Sequence, residues 1–155
     1  MNNLARSMPV RLAAGVAIAV LAASAVALAR VPSVSVGIHG PTSIKSGQKF
    51  NLTISGHVST VHLALRTEMI EQTPAGPPCA TSLDTEENKS QRPYAHPQGG
   101  EFIEHKSFSE VFHYKARSSV PTHRFCAYVS RFIEVNHQLK NRTFAHASLT
   151  VTYHP

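Results

Sequence analysis

Apolar and polar residues alternate with a period of two in one short run after another, and no stretch of useful length repeats at the spacing of an amphipathic helix. Val34, Val36 and Ile38 alternate with Ser33, Ser35 and Gly37, and the turn dipeptide Gly40-Pro41 ends the run. Phe50, Leu52 and Ile54 alternate with Asn51, Thr53 and Ser55, between Ser46-Gly47 and Gly56. Val61, Leu63 and Leu65 alternate with His62, Ala64 and Arg66. Three later runs cover residues 107–115, which carry Phe108, Phe112 and Tyr114, then 124–132 and 143–153. Successive side chains on a strand point to opposite faces, so each run offers one face to a core and one to water. We therefore expect an all-β chain.

Residues 71–100 break the pattern with Pro74, Gly76, Pro77, Pro78, Pro93, Pro97, Gly99 and Gly100. They read as a long loop. Structureless connections of that length are uncommon in a compact domain, so the loop is expected to hide a short edge strand near residues 80–84 or to serve binding.

Residues 1–29 have a different character: Arg6 and Arg11 precede an unbroken small and apolar run over 12–29 that ends in Ala27-Leu28-Ala29. That is the layout of a secretory signal peptide cut before Arg30, with an uncleaved anchor as the alternative because the run approaches the roughly 20 residues that span a bilayer. After cleavage no stable membrane insertion is expected, and residues 30–155 form one domain, secreted or otherwise extracytoplasmic. That domain has 13 basic and 9 acidic residues, hence about +4, with all ten histidines. The excess is too modest for nucleic acid, though it suits anionic envelope polymers or lipid headgroups as well as plain solubility.

Export puts Cys79 and Cys126, the only cysteines, where disulfides persist. A bond between them closes a loop of 47 positions and, on the chain-entropy model, stabilises by about 4 kcal/mol. The same bond would tether the long loop to the strand at 124–132. A reactive thiol would want a CxxC pair or an electropositive pocket near a base, and the sequence has neither.

About seven short strands, regular turn signals and a strand cysteine point to an immunoglobulin-like two-sheet β-sandwich stapled by one disulfide, with a small barrel as the alternative. The segments GQKFNLTISG, HRFCAYVSRF and TFAHASLTVTY, in that order, resemble the secreted immunoglobulin-like domains of uncharacterised bacterial exported proteins. The resemblance implies a non-enzymatic interaction or structural module and brings no catalytic residue with it. The chain departs from antibody-type domains in lacking Trp, and Tyr128 stands two residues after the cysteine instead of two before it.

In such a sandwich the turn after the second run and the turn before the last lie at one end. That end is expected to gather His57, His62, Glu134, His137, Lys140, Arg142 and His146 as candidate binding residues. The alternative to a binding or structural module is an exported metal-binding protein that holds Zn²⁺ or Cu²⁺ on His57, His62, His137 and His146. No HxH or HExxH spacing supports it, so no cofactor and no metal site is assigned. Histidines also allow a pH response, since they titrate near pH 6 to 7. Against catalysis, the single aspartate, Asp84, has no GxSxG serine to serve, and the pairs Glu68/Glu71 and Glu101/Glu104 read as solvated charges. Gly99-Gly100 precedes no helix that would cradle phosphate. Sugar binding would lean on Tyr94, the best aromatic of the loop. The strand at 124–132 is apolar in the phase Phe125, Ala127, Val129. It is either a central strand covered by the tethered loop, or an exposed docking patch rimmed by His62, Arg66, His123 and Arg131. Asn51, Asn88 and Asn141 match the glycosylation acceptor pattern, which has no consequence in a bacterial host. The expected protein is a monomer that binds another protein or an envelope polymer.

Overall fold

The computed structural model describes residues 32–61, 64–88, 92–117 and 120–155; the expected signal segment at 1–29 lies outside them. Eight strands form two sheets among these residues. Strands β1 (Val34–His39), β3 (Lys49–Val58) and β6 (Ser107–Lys115) make an antiparallel sheet in the order β1-β3-β6. The second sheet runs β2-β8-β7-β4-β5 and contains β2 (Ser43–Lys45), β4 (Arg66–Gln72), β5 (Ala95–Pro97), β7 (Thr122–Val135) and β8 (Gln138–His154). Its ladders are antiparallel apart from the short parallel pairing of β2 with β8. The chain is an immunoglobulin-like β-sandwich.

The main core lies between the sheets, where Leu52 and Ile54 of β3 meet Met69 of β4, Phe125 and Ala127 of β7 and Val151 of β8, all fully buried. Each large side chain withdrawn this way contributes about 1.5–3 kcal/mol. Aromatic rings close one end of the layer: Phe50 stacks on Tyr114 at 5.6 Å, and Tyr114 meets Phe125 edge-on at 4.7 Å.

A second, smaller core lies on the opposite face of the larger sheet. Ile70, Cys126 and Tyr128 point outward from β4 and β7 and are covered by Cys79, Leu83 and Ala95 of the connecting segment. The Cys79–Cys126 disulfide, with its Cα atoms 5.7 Å apart, ties this cover to the sheet. It therefore does not cross between the two sheets, as the bond of antibody domains does. Central β7 is covered by the tethered loop, and Phe125, Ala127 and Val129 face the inter-sheet core, not a docking patch.

Three expectations are corrected. The strand expected at 61–66 is displaced to Arg66–Gln72, because Ala64 adopts a left-handed backbone (φ 47°) that ends any extended run there; His62 and Leu63 lie outside the described residues. The segment 71–100 is not one loop. It holds the end of β4, the helix α1 (Leu83–Glu87) and β5. The edge strand expected at 80–84 is instead the start of α1: the Ser82 side chain accepts from the Thr85 N–H, capping the first turn, and Leu83 is buried. The edge strand lies at Ala95–Pro97, and the chain goes on along β4 with Gln98 N donating to Met69 O (2.8 Å) and Ile103 N to Leu65 O (2.8 Å). Gly100 permits that approach, since any Cβ there would collide with the Thr67 backbone.

Candidate functional site

Strands β7 and β8 outrun their neighbours. Pairing with β4 ends at Arg66↔Ser130, but β7 and β8 continue to pair from Arg131↔Arg142 to Val135↔Gln138. The result is a two-stranded ribbon that extends beyond β4. Its turn is Asn136-His137, both with positive φ (52° and 60°), the geometry of a two-residue hairpin whose twist matches the strands.

A bulge between Val129 and Ser130, which leaves Phe144 as the extra residue, reverses the phase of β8. Arg131, Arg142, Ile133, Lys140 and Val135 therefore share one face of the ribbon. Both guanidiniums reach the Phe144 ring, at 5.6 Å for Arg131 and 5.4 Å for Arg142. The face is basic and apolar, and none of its cross-strand pairs includes a carboxylate. The opposite face carries Phe132, Glu134, Leu139 and Asn141. Phe132, Val135 and Leu139 are among the few exposed large apolar side chains, Leu139 at 75%.

The base of the ribbon is locked. The Arg66 guanidinium lies 3.9 Å from the Phe132 ring centre, pairs with Glu68 at 2.7 Å and donates to Asn141 Oδ1 at 3.2 Å. Asn141 donates from its backbone N (3.1 Å) and its Nδ2 (2.9 Å) to Asp84 of α1. Burial raises the Glu68 and Glu87 carboxyls above the ordinary range, an effect that the nearby Arg66 opposes without cancelling. Helix α1 and the start of β4 thus hold the base from which the tip projects.

Of the candidate binding residues, the fold brings together His137, Lys140 and Arg142 on this ribbon, with Glu134 3.3 Å from His137. His146 is exposed on β8 but on the opposite face from Arg142, with its ring stacked 6.1 Å from that of Tyr128. His57 sits in β3, paired with Ser35 and Ser107 in the other sheet. His62 is outside the described residues. Among the described residues no three His, Cys, Asp or Glu side chains lie where they could hold a metal ion together.

The other candidates have structural surroundings. Asp84 accepts from Asn141. Glu68 and Glu71 point to opposite faces of β4 and do not form a pair. Glu101 and Glu104 line an open groove of about 500 Å³ beside the start of β6. Tyr94 is half-buried, its ring against Gly76.

Two buried polar networks had no signature in the sequence. Glu86, fully buried, accepts from Arg92 (2.9 Å), Gln72 Nε2 (2.7 Å), Ala80 N (2.7 Å) and the Tyr128 hydroxyl (3.1 Å). In the inter-sheet layer, Nδ1 of buried His123 lies 2.5 Å from Oε1 of Glu71, which also accepts from the Thr73 hydroxyl at 3.2 Å. Burial pushes the Glu71 carboxyl up, but the hydrogen bond and charge of His123, with help from Thr73 and Arg117, outweigh it and leave the group below its ordinary range. Burial also raises the hydroxyls of Tyr114, Tyr128 and Tyr153, which stay protonated.

No known family pattern and no curated protein matches the chain. Among solved structures it is similar to a CARDB domain from Pyrococcus furiosus, crystallised in complex with di-metal ions. The identity is 10%, the match covers 81% of this chain and 90% of that one, and the TM-score is 0.48. The solution structure of that domain gives 12%, 79%, 94% and 0.44 in the same order. A β-glucosidase from Listeria innocua is matched over 79% of this chain and 16% of that one, with 8% identity and a TM-score of 0.37. At these values the likenesses carry no argument about function.

Proposed function

We propose that this chain is a non-enzymatic, extracytoplasmic binding module that holds an acidic partner protein on the β7–β8 ribbon. One observation carries the reading: Arg131, Lys140 and Arg142 share a face with Ile133 and Val135 on a ribbon that projects from a locked base. Cations supply attraction and orientation, while the apolar side chains between them supply the desolvated contact that distinguishes a protein partner from a soluble polyanion. An anionic envelope polymer would use the cations alone.

The test is retention on immobilised poly-L-glutamate and on dextran sulfate at about 0.15 M salt, where exposed charges act over only about 8 Å. The wild-type chain is expected to bind both, and the Arg131→Glu/Lys140→Glu/Arg142→Glu variant neither. In cells carrying a photo-crosslinker at position 135, the module should capture a protein rather than a glycan. Equal retention of wild type and triple variant on both matrices would sink the proposal. Glycan adducts alone would replace the protein partner with a polymer.

A further inference from the structure

The strand β6 ends the order β1-β3-β6, so one of its two edges has no neighbouring strand. Its ladder with β3 reveals which backbone groups are free. Val58 N donates to Lys106 O at 2.7 Å, and at the other end Ala116 N donates to Gln48 O at 2.9 Å. With the regular register from Lys49↔Lys115 to His57↔Ser107, the even-numbered residues bond to β3. The N–H and C=O groups of Ser107, Ser109, Val111, His113 and Lys115 therefore point away from the sheet. No backbone group among the described residues bonds to them. The edge has no proline and no bulge, and its middle residue, Val111, is 48% exposed. Natural edge strands are usually blunted by such devices, because a long regular edge is a template for another strand.

We infer that this edge pairs with the same edge of a second copy, antiparallel about a two-fold axis at Val111. Outward groups can bond only to outward groups, which restricts the register to odd residues facing odd residues. Centring the axis on Val111 uses the whole strand: Val111 faces Val111, Ser109 faces His113, and Ser107 faces Lys115. No like charges then stand opposite within the strand. The ends are complementary as well. Ser107 lines the open groove that also holds Glu101 and Glu104 with Phe102 and Phe108, so Lys115 of the second copy arrives beside two carboxylates, and the two-fold axis repeats the contact. Phe102, exposed at 66% next to the same edge, gives the approaching strand an apolar surface. A two-fold contact of this kind joins the two three-stranded sheets into one of six strands, and it differs from the ribbon face in both strands and charge.

Sedimentation equilibrium of the purified chain, across about three decades of concentration, is expected to show a monomer–dimer equilibrium. The amides of Ser109, Val111 and His113 should exchange with solvent slowly in the dimer and fast in the monomer. Val111→Pro removes an outward N–H that the fold does not use, so it should leave the melting temperature nearly unchanged and raise the dimer dissociation constant about tenfold or more. Val111→Lys, which sets like charges across the axis, provides the same reading should the proline variant fail to fold. Lys115→Glu is expected to weaken the dimer, and the added change Glu104→Lys to restore it. A chain that is monomeric at every concentration, or a dimer that survives both Val111 variants, overturns the inference.

Discussion

Glu71 of β4 and His123 of β7 meet inside the sandwich, with Oε1 of one 2.5 Å from Nδ1 of the other. A carboxylate only accepts, so Nδ1 carries the proton of this bond. The Glu71 group titrates below its ordinary 4.5, so its contribution to stability is fully present above pH 4.5 and is lost as pH falls through the lower folded value. Glu68 and Glu87 are raised, so the stability they contribute is present below pH 4.5 and is lost as pH rises through their higher folded values. Glu71→Gln is therefore expected to cost about 1–3 kcal/mol at pH 7 and markedly less at pH 3. Urea denaturation of both proteins at the two pH values decides it, and an equal loss at both would remove the charged hydrogen bond from the account.

The disulfide acts on the cover of the larger sheet. Replacing Cys79 and Cys126 together with Ala should lower stability by about 4 kcal/mol, the loop-closure value for 47 positions. Denaturation of the native protein with and without reductant should give the same difference. An intact-mass measurement after alkylation should find two thiols only after reduction.

Glu86 holds the same cover from its interior. Glu86→Ala removes the carboxylate that pairs with Arg92 and accepts from Gln72 Nε2 and Ala80 N, leaving Arg92 only the Pro78 carbonyl and the Tyr128 hydroxyl only the Ala80 carbonyl, and breaking a buried pair this way costs about 3–5 kcal/mol. Because the disulfide still anchors Cys79, the segment between β4 and β5 should open before the sandwich does. Limited proteolysis under native conditions is expected to cut the variant within residues 80–95 while the wild type resists.

At the ribbon tip, His137 occupies a left-handed backbone conformation (φ 60°) that glycine adopts without strain. His137→Gly should stabilise the protein by about 0.5–1 kcal/mol, the strain relieved less the entropy that glycine brings to the unfolded chain. A rise in melting temperature is the expected result, and a fall would mean that the His137–Glu134 contact at 3.3 Å outweighs the strain.

Most strands legible in the sequence have one apolar and one wet face; β7, covered on both faces along its middle, was legible because its run there is almost continuously apolar. Strand β6 has the expected bounds, and β1, β3, β7 and β8 lie where alternation places them, with β7 and β8 longer and β3 running through Gly56, which was expected to end it, to Val58. Strand β4, Arg-Thr-Glu-Met-Ile-Glu-Gln, was illegible because it lies between β7 and β5 with both faces covered, and a doubly covered strand does not alternate. Its charged and amide side chains are tolerated because they have partners: Glu68 with Arg66 of the same strand, Glu71 with His123 and Gln72 with Glu86. Of the candidate residues, the sequence could name His137, Lys140 and Arg142 but could not separate them from His57 and His146. Their grouping depends on how far the ribbon extends and on which face the bulge at Phe144 turns outward.

By itself, the sequence determined the all-β class, the pairing of its two cysteines and most of the strand positions, because period-two alternation and cysteine usage act locally or through composition. Only the tertiary structure decided that the disulfide staples a cover instead of joining the sheets, that His123 is buried while His137 is exposed, and that β6 keeps a free edge. Those outcomes depend on which strands become neighbours. Neighbours are chosen by the burial of faces contributed from distant parts of the chain, and no local pattern encodes that choice.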